Sequence, residues 1–515
     1  MKPGAIISGS QVQNDLDLTP DVCIVGSGAG GAVLAEGLVS RGRSVVMLEE
    51  GGYHTKAEFD MQERRAFTSL YQEQGGRATG DQSIAILQGR AVGGSTVVNW
   101  ASCFRTPDRI LRHWESAHGV TGLTAEVLRP HFEAVEKRLN IQPWPLDQVN
   151  LNNRVLWDGA KKLGFSAGLI PRNVRGCFNS GYCGMGCPVD AKQSMHLTFL
   201  PDAVEKGLIL YANCRAERVQ MGGKRVEAVY GVVMDPHADR LTARRIVIRP
   251  KAAVLSGGAI NTPALLLKSG INARGQVGKR TWLHPVVTMA ARFEQPIEPF
   301  YGAPQSVYSH HHWERGPGKL GFFLEASPIH PMLASTALGG FGTTHRGLMA
   351  RLSTVNALIA LTVDGLTPQE SGGTVSVRPD GRPRLDYPLT SFHFEAFREA
   401  CKVMARIQFA AGALEVVSAH AEPVRMRTEA DLSKLDAAPW EPLRINVFSA
   451  HLMGGSCIGK DPAKSVVDST LRVHGAENLF VVDGSVFPTS LGVNPSETIY
   501  GIAHWAAEHI AAAAA

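Results

Sequence analysis

The sequence predicts an α/β protein: a parallel, doubly wound sheet carrying an inserted α+β domain built on an antiparallel sheet. Three observations predict it. First, Val22-Cys23-Ile24-Val25 feeds the turn Gly26-Ser27-Gly28-Ala29-Gly30-Gly31, a small-residue helix and the strand Val45-Val46-Met47-Leu48. Second, Ala253-Val254-Leu255 and Leu479-Phe480-Val481-Val482 read as further buried strands, the former entering a helix at Gly257-Gly258 and the latter reaching one through a loop. Third, Val286 to Phe323 and Thr374 to Asp386 alternate in strand fashion between polar turns, as one antiparallel sheet does.

The first unit has the form of a dinucleotide-binding βαβ. Gly26 allows the tight turn, Gly28 lets backbone approach a pyrophosphate, and Gly31 lets the helix pack on the strand. The helix N-terminus offers free N–H groups and a positive dipole end to phosphate. Glu49 ends the second strand, eighteen positions past Gly31 (49 − 31), where an acid can accept ribose hydroxyls. Charged amphipathic segments follow from Pro107 to Leu139, then a Pro/Asn-rich connection from Gln142 to Asn153 and a Gly/Cys-dense loop from Gly176 to Pro188. Leu208–Tyr211, Val226–Met234 and Arg245–Ile248 read as strands, and Thr498 to Ile510 as the last helix, with Ala511–Ala515 as its frayed end. The order fits a discontinuous nucleotide-binding domain (1–106, 195–285 and 440–515) with a substrate domain inserted twice (107–194 and 286–439).

Composition narrows the partners. At 515 residues, 44% hydrophobic and 19% charged, the chain suits a multi-lobed globular protein. A net charge of +5 from 52 basic and 47 acidic residues, with no basic run, points to neither nucleic acid nor a membrane surface. Met1-Lys2-Pro3-Gly4-Ala5 lacks a signal-peptide core and no stretch of about 18 apolar residues occurs, so no membrane span and a cytoplasmic location are expected. Eight cysteines in this length do not make a disulfide scaffold. No Gly-x-Ser-x-Gly elbow follows a strand, which disfavours a serine hydrolase.

Three further blocks extend the site. Gly93 and Gly94, in Gly89–Trp100, admit a flat cofactor, and Ser95, Thr96 and Asn99 add hydrogen-bonding groups. Ser256–Gly270 reads as a helix started by Thr262-Pro263. Val482-Asp483-Gly484-Ser485 precedes Gly492-Val493-Asn494-Pro495 and a new helix. In this order the blocks resemble the glucose–methanol–choline (GMC) oxidoreductase family over nearly the whole chain, with Asn272 where a glycine is usual. Asn99–Ser102, Phe104–Pro107 and Cys183–Cys187 look most like long-chain alcohol oxidases, and His451 to Thr498 is also similar to cholesterol oxidases. The resemblance implies a Rossmann-like FAD-binding domain, with Glu49 on the ribose, Asp483 near the pyrophosphate and ribityl chain, and Gly484 and Pro495 beside the cofactor. Some members attach the flavin through a histidine where this chain has Val98, so FAD is expected to be non-covalent.

The resemblance also implies a catalytic pair. His451, in Ala450-His451-Leu452-Met453-Gly454-Gly455, matches the family's catalytic histidine, and Asn494 matches the second position. Alcohol oxidation requires a base for the hydroxyl proton while a hydride leaves carbon for flavin N5. Histidine suits that role at neutral pH, whereas asparagine orients without titrating. The expectation is oxidation of a hydrophobic alcohol to aldehyde or ketone, with oxygen or another electron acceptor. His284 before Pro285 is expected to be structural, and His310-His311-His312 a solvated turn rather than a metal site.

Two alternatives stay open. Cys177, Cys183 and Cys187-Pro188 could ligate an iron–sulfur cluster in a flavoprotein subunit of an electron-transferring dehydrogenase complex, although a structural loop near the active site is favoured. A redox-inactive FAD-dependent lyase would share the cofactor motifs.

Overall fold

The Val/Ile/Leu-rich strands are buried along their length, and they pair in parallel as such strands do. A computed structural model describes residues 4–235 and 240–515, so the Met1-Lys2-Pro3 part of the N-terminal stretch lies outside the described residues. Six parallel strands run in the order Ala5–Ser8, Ile209–Ala212, Val45–Leu48, Val22–Val25, Ala252–Leu255 and Leu479–Val481. The glycine turn after Val25 opens the helix Ala29–Val39, which packs against the C-terminal helix Ser496–Ala513. That last helix runs to Ala513, so the alanine tail is helical for most of its length, with Ala511 and Ala514 buried and Ala512, Ala513 and Ala515 exposed. Alanine has the highest helix propensity and needs little room, which is why the tail holds.

A second sheet joins Cys214–Gly222, Arg225–Asp235 and Arg240–Ile248 antiparallel, with Leu16–Leu18 added in parallel. The largest antiparallel sheet is centred on Val355–Val363, buried at every position, between Val286–Arg292 and Gly321–Ala326. Its register places Thr288, Ile359 and Glu325 in one row and Val286, Leu361 and Phe323 in the next. Paired residues share a face, so Glu325 lies on the same side as Ile359.

The expected single antiparallel sheet is in fact two. Gly373–Val377 and Pro383–Asp386 pair with Lys279–Trp282 and Met453–Gly454 in a separate four-stranded sheet. Period-two patterning reports which face is buried but not which strand is the partner. The stretch read as a connection, Gln142 to Asn153, contains a short strand and a helix start: Asn150 caps Leu151–Lys162, and Asn152 and Asn153 are buried.

Candidate active site

One cavity runs from the Gly26 turn to the antiparallel sheet. Gly26, Gly28, Glu49, Gly94, Ser95, Thr96, Asn99, Asp483, Gly484, His451, Asn494 and Pro495 all line it, whereas Gly31 and Gly93 support it from behind. A Cβ on Gly31 would sit 2.0 Å from the Gly26 carbonyl, so this position serves helix–strand packing. Gly94 has φ +56°, and a Cβ there would meet Gly28 Cα at 2.6 Å, so the first two glycine blocks touch backbone to backbone.

Two buried carboxyls tie the blocks together. Glu49 accepts from Ser27 N (2.9 Å), Ser27 Oγ (2.6 Å) and Gly51 N (2.7 Å). Ser27 Oγ also accepts from Gly93 N at 3.0 Å. Asp483 accepts from Gly258 N (2.8 Å), Thr262 Oγ1 (2.6 Å) and Ser485 N (2.8 Å). Burial pushes both carboxyls up, and these donors pull them back. The helix expected to start at Thr262-Pro263 starts at Gly258, with Pro263 inside it. Thr262 bonds Gly257 N and Asp483 there, so the side chain that resembled a cap serves the turn before the helix.

A dinucleotide fits this cradle on the structure's own terms. The helix Ala29–Val39 has Gly28 at its N-cap, no side-chain cap and no acid in its first turn, so its leading N–H groups remain available to an anion. A Cβ on Gly28 would have only Gly94 Cα near it, at 3.7 Å, which leaves the cavity side open to close approach.

At the far end the walls are mostly apolar, formed by Val286, Ile359, Leu361, Phe448 and Leu452. Polar groups there come from separate segments. His451 Nε2 lies 3.3 Å from Asn494 Nδ2, and His451 Nδ1 lies 3.1 Å from His284 Nδ1. His451 N–H donates to Ser449 Oγ, which itself donates to the Leu283 carbonyl. Burial lowers His451 to about 4 and drives His284 well below the ordinary histidine range, so both rings are neutral at pH 7.

The residue expected to be merely structural, His284, thus touches the proposed catalytic histidine. It adopts φ +46° before Pro285, and buried Asp364 holds that turn through the N–H groups of Leu283 (2.9 Å) and His284 (3.0 Å). The histidine run does form a turn, with His311 exposed, but His310 and His312 pack on Phe323 and Phe322.

Three participants escaped motif reasoning. Glu325 is fully buried and accepts from Gln305 Nε2 at 2.5 Å; the Asn494 amide also bonds it, and burial pushes it up to about 8. The signal was present as one acid within Phe322-Phe323-Leu324-Glu325-Ala326. Lys192 donates to the carbonyls of Val97 (2.7 Å), Asn99 (2.8 Å) and Cys183 (2.7 Å), pinning the cysteine loop onto the Gly93–Asn99 block. Arg172, also buried, donates to the Gln305 carbonyl and to Cys183 Sγ. Tyr71 Oη donates to the Gly184 carbonyl from the cavity wall, which sets the loop beside the site. All eight cysteines are free, and among the described residues no three His, Cys, Asp or Glu side chains are grouped to hold a metal ion. Among them, too, no helix is long and apolar enough to cross a membrane.

Residues 67–286 and 368–503 match two family models, both described as GMC oxidoreductase. An uncharacterised GMC-type oxidoreductase of Mycobacterium tuberculosis is 32% identical over 486 residues, 94% of this chain and 74% of the relative. The long-chain-alcohol oxidase FAO4A of Arabidopsis thaliana is 30% identical over 96% of this chain and 69% of its own. The crystal structure of pyridoxine 4-oxidase from Mesorbium loti superposes with a TM-score of 0.71 at 20% identity, covering 95% of this chain and 98% of that one; it shares the fold.

Proposed function

The chain belongs to the GMC oxidoreductase family, whose members bind FAD, and we propose that it oxidises a hydrophobic alcohol to an aldehyde or ketone. The observation that carries this reading is the His451–Asn494 pair, 3.3 Å apart on a cavity wall that is otherwise mostly apolar. An alcohol has one polar end, and this wall offers one polar spot. A medium- or long-chain, aromatic or ring alcohol would bury its carbon skeleton against Val286, Ile359, Leu361 and Leu452.

In this reading Gly26, Gly28 and the Ala29–Val39 N-terminus hold the pyrophosphate, Glu49 the ribose, and Gly94, Ser95 and Asn99 the ring end of FAD. Bound FAD supplies the acceptor for the hydride leaving the carbinol carbon. His451 takes the hydroxyl proton at Nε2, and Asn494 holds the hydroxyl oxygen. Burial supports the base role by keeping His451 neutral. Attachment of FAD is non-covalent: buried Val98 lines the cavity where a histidine would be needed for a link.

The test is anaerobic bleaching of the bound flavin by alcohols of increasing chain length, followed by reoxidation with oxygen or an artificial acceptor. Bleaching that strengthens with apolar length is expected. A chain that holds FAD and is bleached by no alcohol would be a lyase or binding protein on this scaffold. Acid precipitation should release the flavin into the supernatant, and retention in the pellet would overturn non-covalent binding.

A further inference from the structure

His284 is fully buried, lies against His451 and has no part in the scheme above. Its contacts decide where the protons of both rings sit. A neutral imidazole carries one N–H, so it donates from one nitrogen and accepts at the other. Gly492 N lies 3.0 Å from His284 Nε2, and a backbone amide can only donate. Trp313 Nε1–H donates to the Gly492 carbonyl at 2.9 Å and so holds the following peptide. His284 therefore carries its proton on Nδ1 and directs it at His451 Nδ1, 3.1 Å away. His451 Nδ1 accepts, which leaves the proton of His451 on Nε2, the nitrogen beside Asn494.

Asn494 fits this assignment with its amide turned over. In its present amide orientation Oδ1 is buried without a hydrogen bond, while Nδ2 is the atom facing His451 Nε2. Turning the amide over, a choice set by the hydrogen-bond network, presents Oδ1 to the Nε2–H. Glu325, on the same amide, is held protonated at neutral pH by burial and can donate to that oxygen too.

We infer that His284 is a positioning residue: anchored by Gly492, it holds resting His451 in the Nε2–H form, so the free enzyme meets an alcohol oxygen with a hydrogen-bond donor. The inference rests on the proposed reading of His451 as proton acceptor and adds a condition to it. His451 becomes a base only after a tautomer exchange. A proton passes from His284 Nδ1 to His451 Nδ1, one leaves His451 Nε2 to water, and one returns from water to His284 Nε2. The two rings keep two protons throughout. The last site becomes available only when the Gly492 N–H turns away. Gly492 and Asn494 belong to one loop, two residues apart.

The experiment is ¹⁵N NMR of histidine-labelled, FAD-loaded enzyme without substrate, with His451→Gln and His284→Asn used to assign the two rings. Nε2–H on His451 is expected; Nδ1–H would overturn the inference. His284→Asn can place its amide N–H where Nδ1 stands, donate to His451 Nδ1 and tolerate the left-handed backbone, so it should keep the Nε2–H form although it is too short to reach Gly492 N–H. His284→Leu removes both bonds and should give a mixture of tautomers. Pure Nε2–H in the Leu variant would show that something other than His284 sets the proton. If the Leu variant does not fold, the wild-type and Asn spectra still decide. Flavin reduction by alcohol in His451→Ala would overturn the base reading and leave the tautomer result standing, so the two failures are distinguishable.

Discussion

At the Gly26 end of the cavity, contacts close over short stretches of chain: Glu49 is held by residues 22 and 2 positions away. At the His451 end they span 167 residues from His284 to His451 and 208 from His284 to Gly492. The first end uses backbone N–H groups and a carboxylate, which bind a charged ligand without moving protons. The second uses buried groups that burial keeps neutral, so protons can be placed one at a time. Under the proposed function, holding a cofactor and handling a hydroxyl proton fall to different chemistry, and variants at the two ends should separate them.

The largest separation is expected from His451→Ala. It should keep its FAD absorbance yet lose about 10²–10⁴-fold in anaerobic flavin reduction by alcohol, measured by stopped flow. Near-normal reduction would remove the chemical half of the comparison. Gly94→Val attacks the other end, since a Cβ there meets Gly28 Cα at 2.6 Å and φ is +56°. Overpacking of about 1–3 kcal/mol predicts roughly a tenfold or greater loss of FAD affinity, read by flavin titration of the apoprotein, with far-UV circular dichroism unchanged.

Glu49→Gln should act in the same direction and less strongly. Glu49 accepts at both oxygens and Gln has one acceptor, so its amide nitrogen faces either Gly51 N–H or the Ser27 donors; the lost bond, worth about 1 kcal/mol, weakens FAD several-fold without altering reduction of the flavin that remains. A pH series tests the chemical end more gently. Reduction should hold level from neutral pH downwards and fall as pH drops through about 4, where His451 takes a second proton. The smallest effect concerns Glu325. Its folded value of about 8 lies above the ordinary carboxyl value of 4.5, so the folded state binds the extra proton between them. That contribution is complete below 4.5 and is lost as pH rises through about 8. Glu325→Gln should flatten this decline, by roughly 1 °C in Tm for each kcal/mol involved, in thermal melts at about pH 6 and about pH 9.

Legibility in the sequence follows the same division. The Gly26–Glu49 unit could be read directly because strand, turn, helix and acid are contiguous and each has a positional requirement. Asp483 and His451 could be read only as blocks in an order, since their partners at Gly258 and His284 lie far along the chain. Glu325 gave a weaker signal, since a charge within an apolar run marks burial but not the Asn494 amide it meets, and Lys192, in the polar stretch Asp190-Ala191-Lys192-Gln193, gave no signal of its three carbonyls. His284 read only as a turn residue because a His-Pro pair marks a turn, and its nearness to His451 comes from a φ of +46° that the sequence does not display. The split into two antiparallel sheets was hidden for a related reason, because burial patterning is local and strand partnership is not.

Asp483 has a consequence for the making of this protein. It closes the Gly258 turn from the end of the outermost parallel strand, Leu479–Val481. During synthesis at about 5–20 residues per second, that strand leaves the ribosome roughly 25–100 s after the start. Until then Ala252–Leu255 presents an open sheet edge, and the turn that Asp483 caps has no carboxylate to close it. Under the proposed function, a complete FAD site exists only once that last strand is in place.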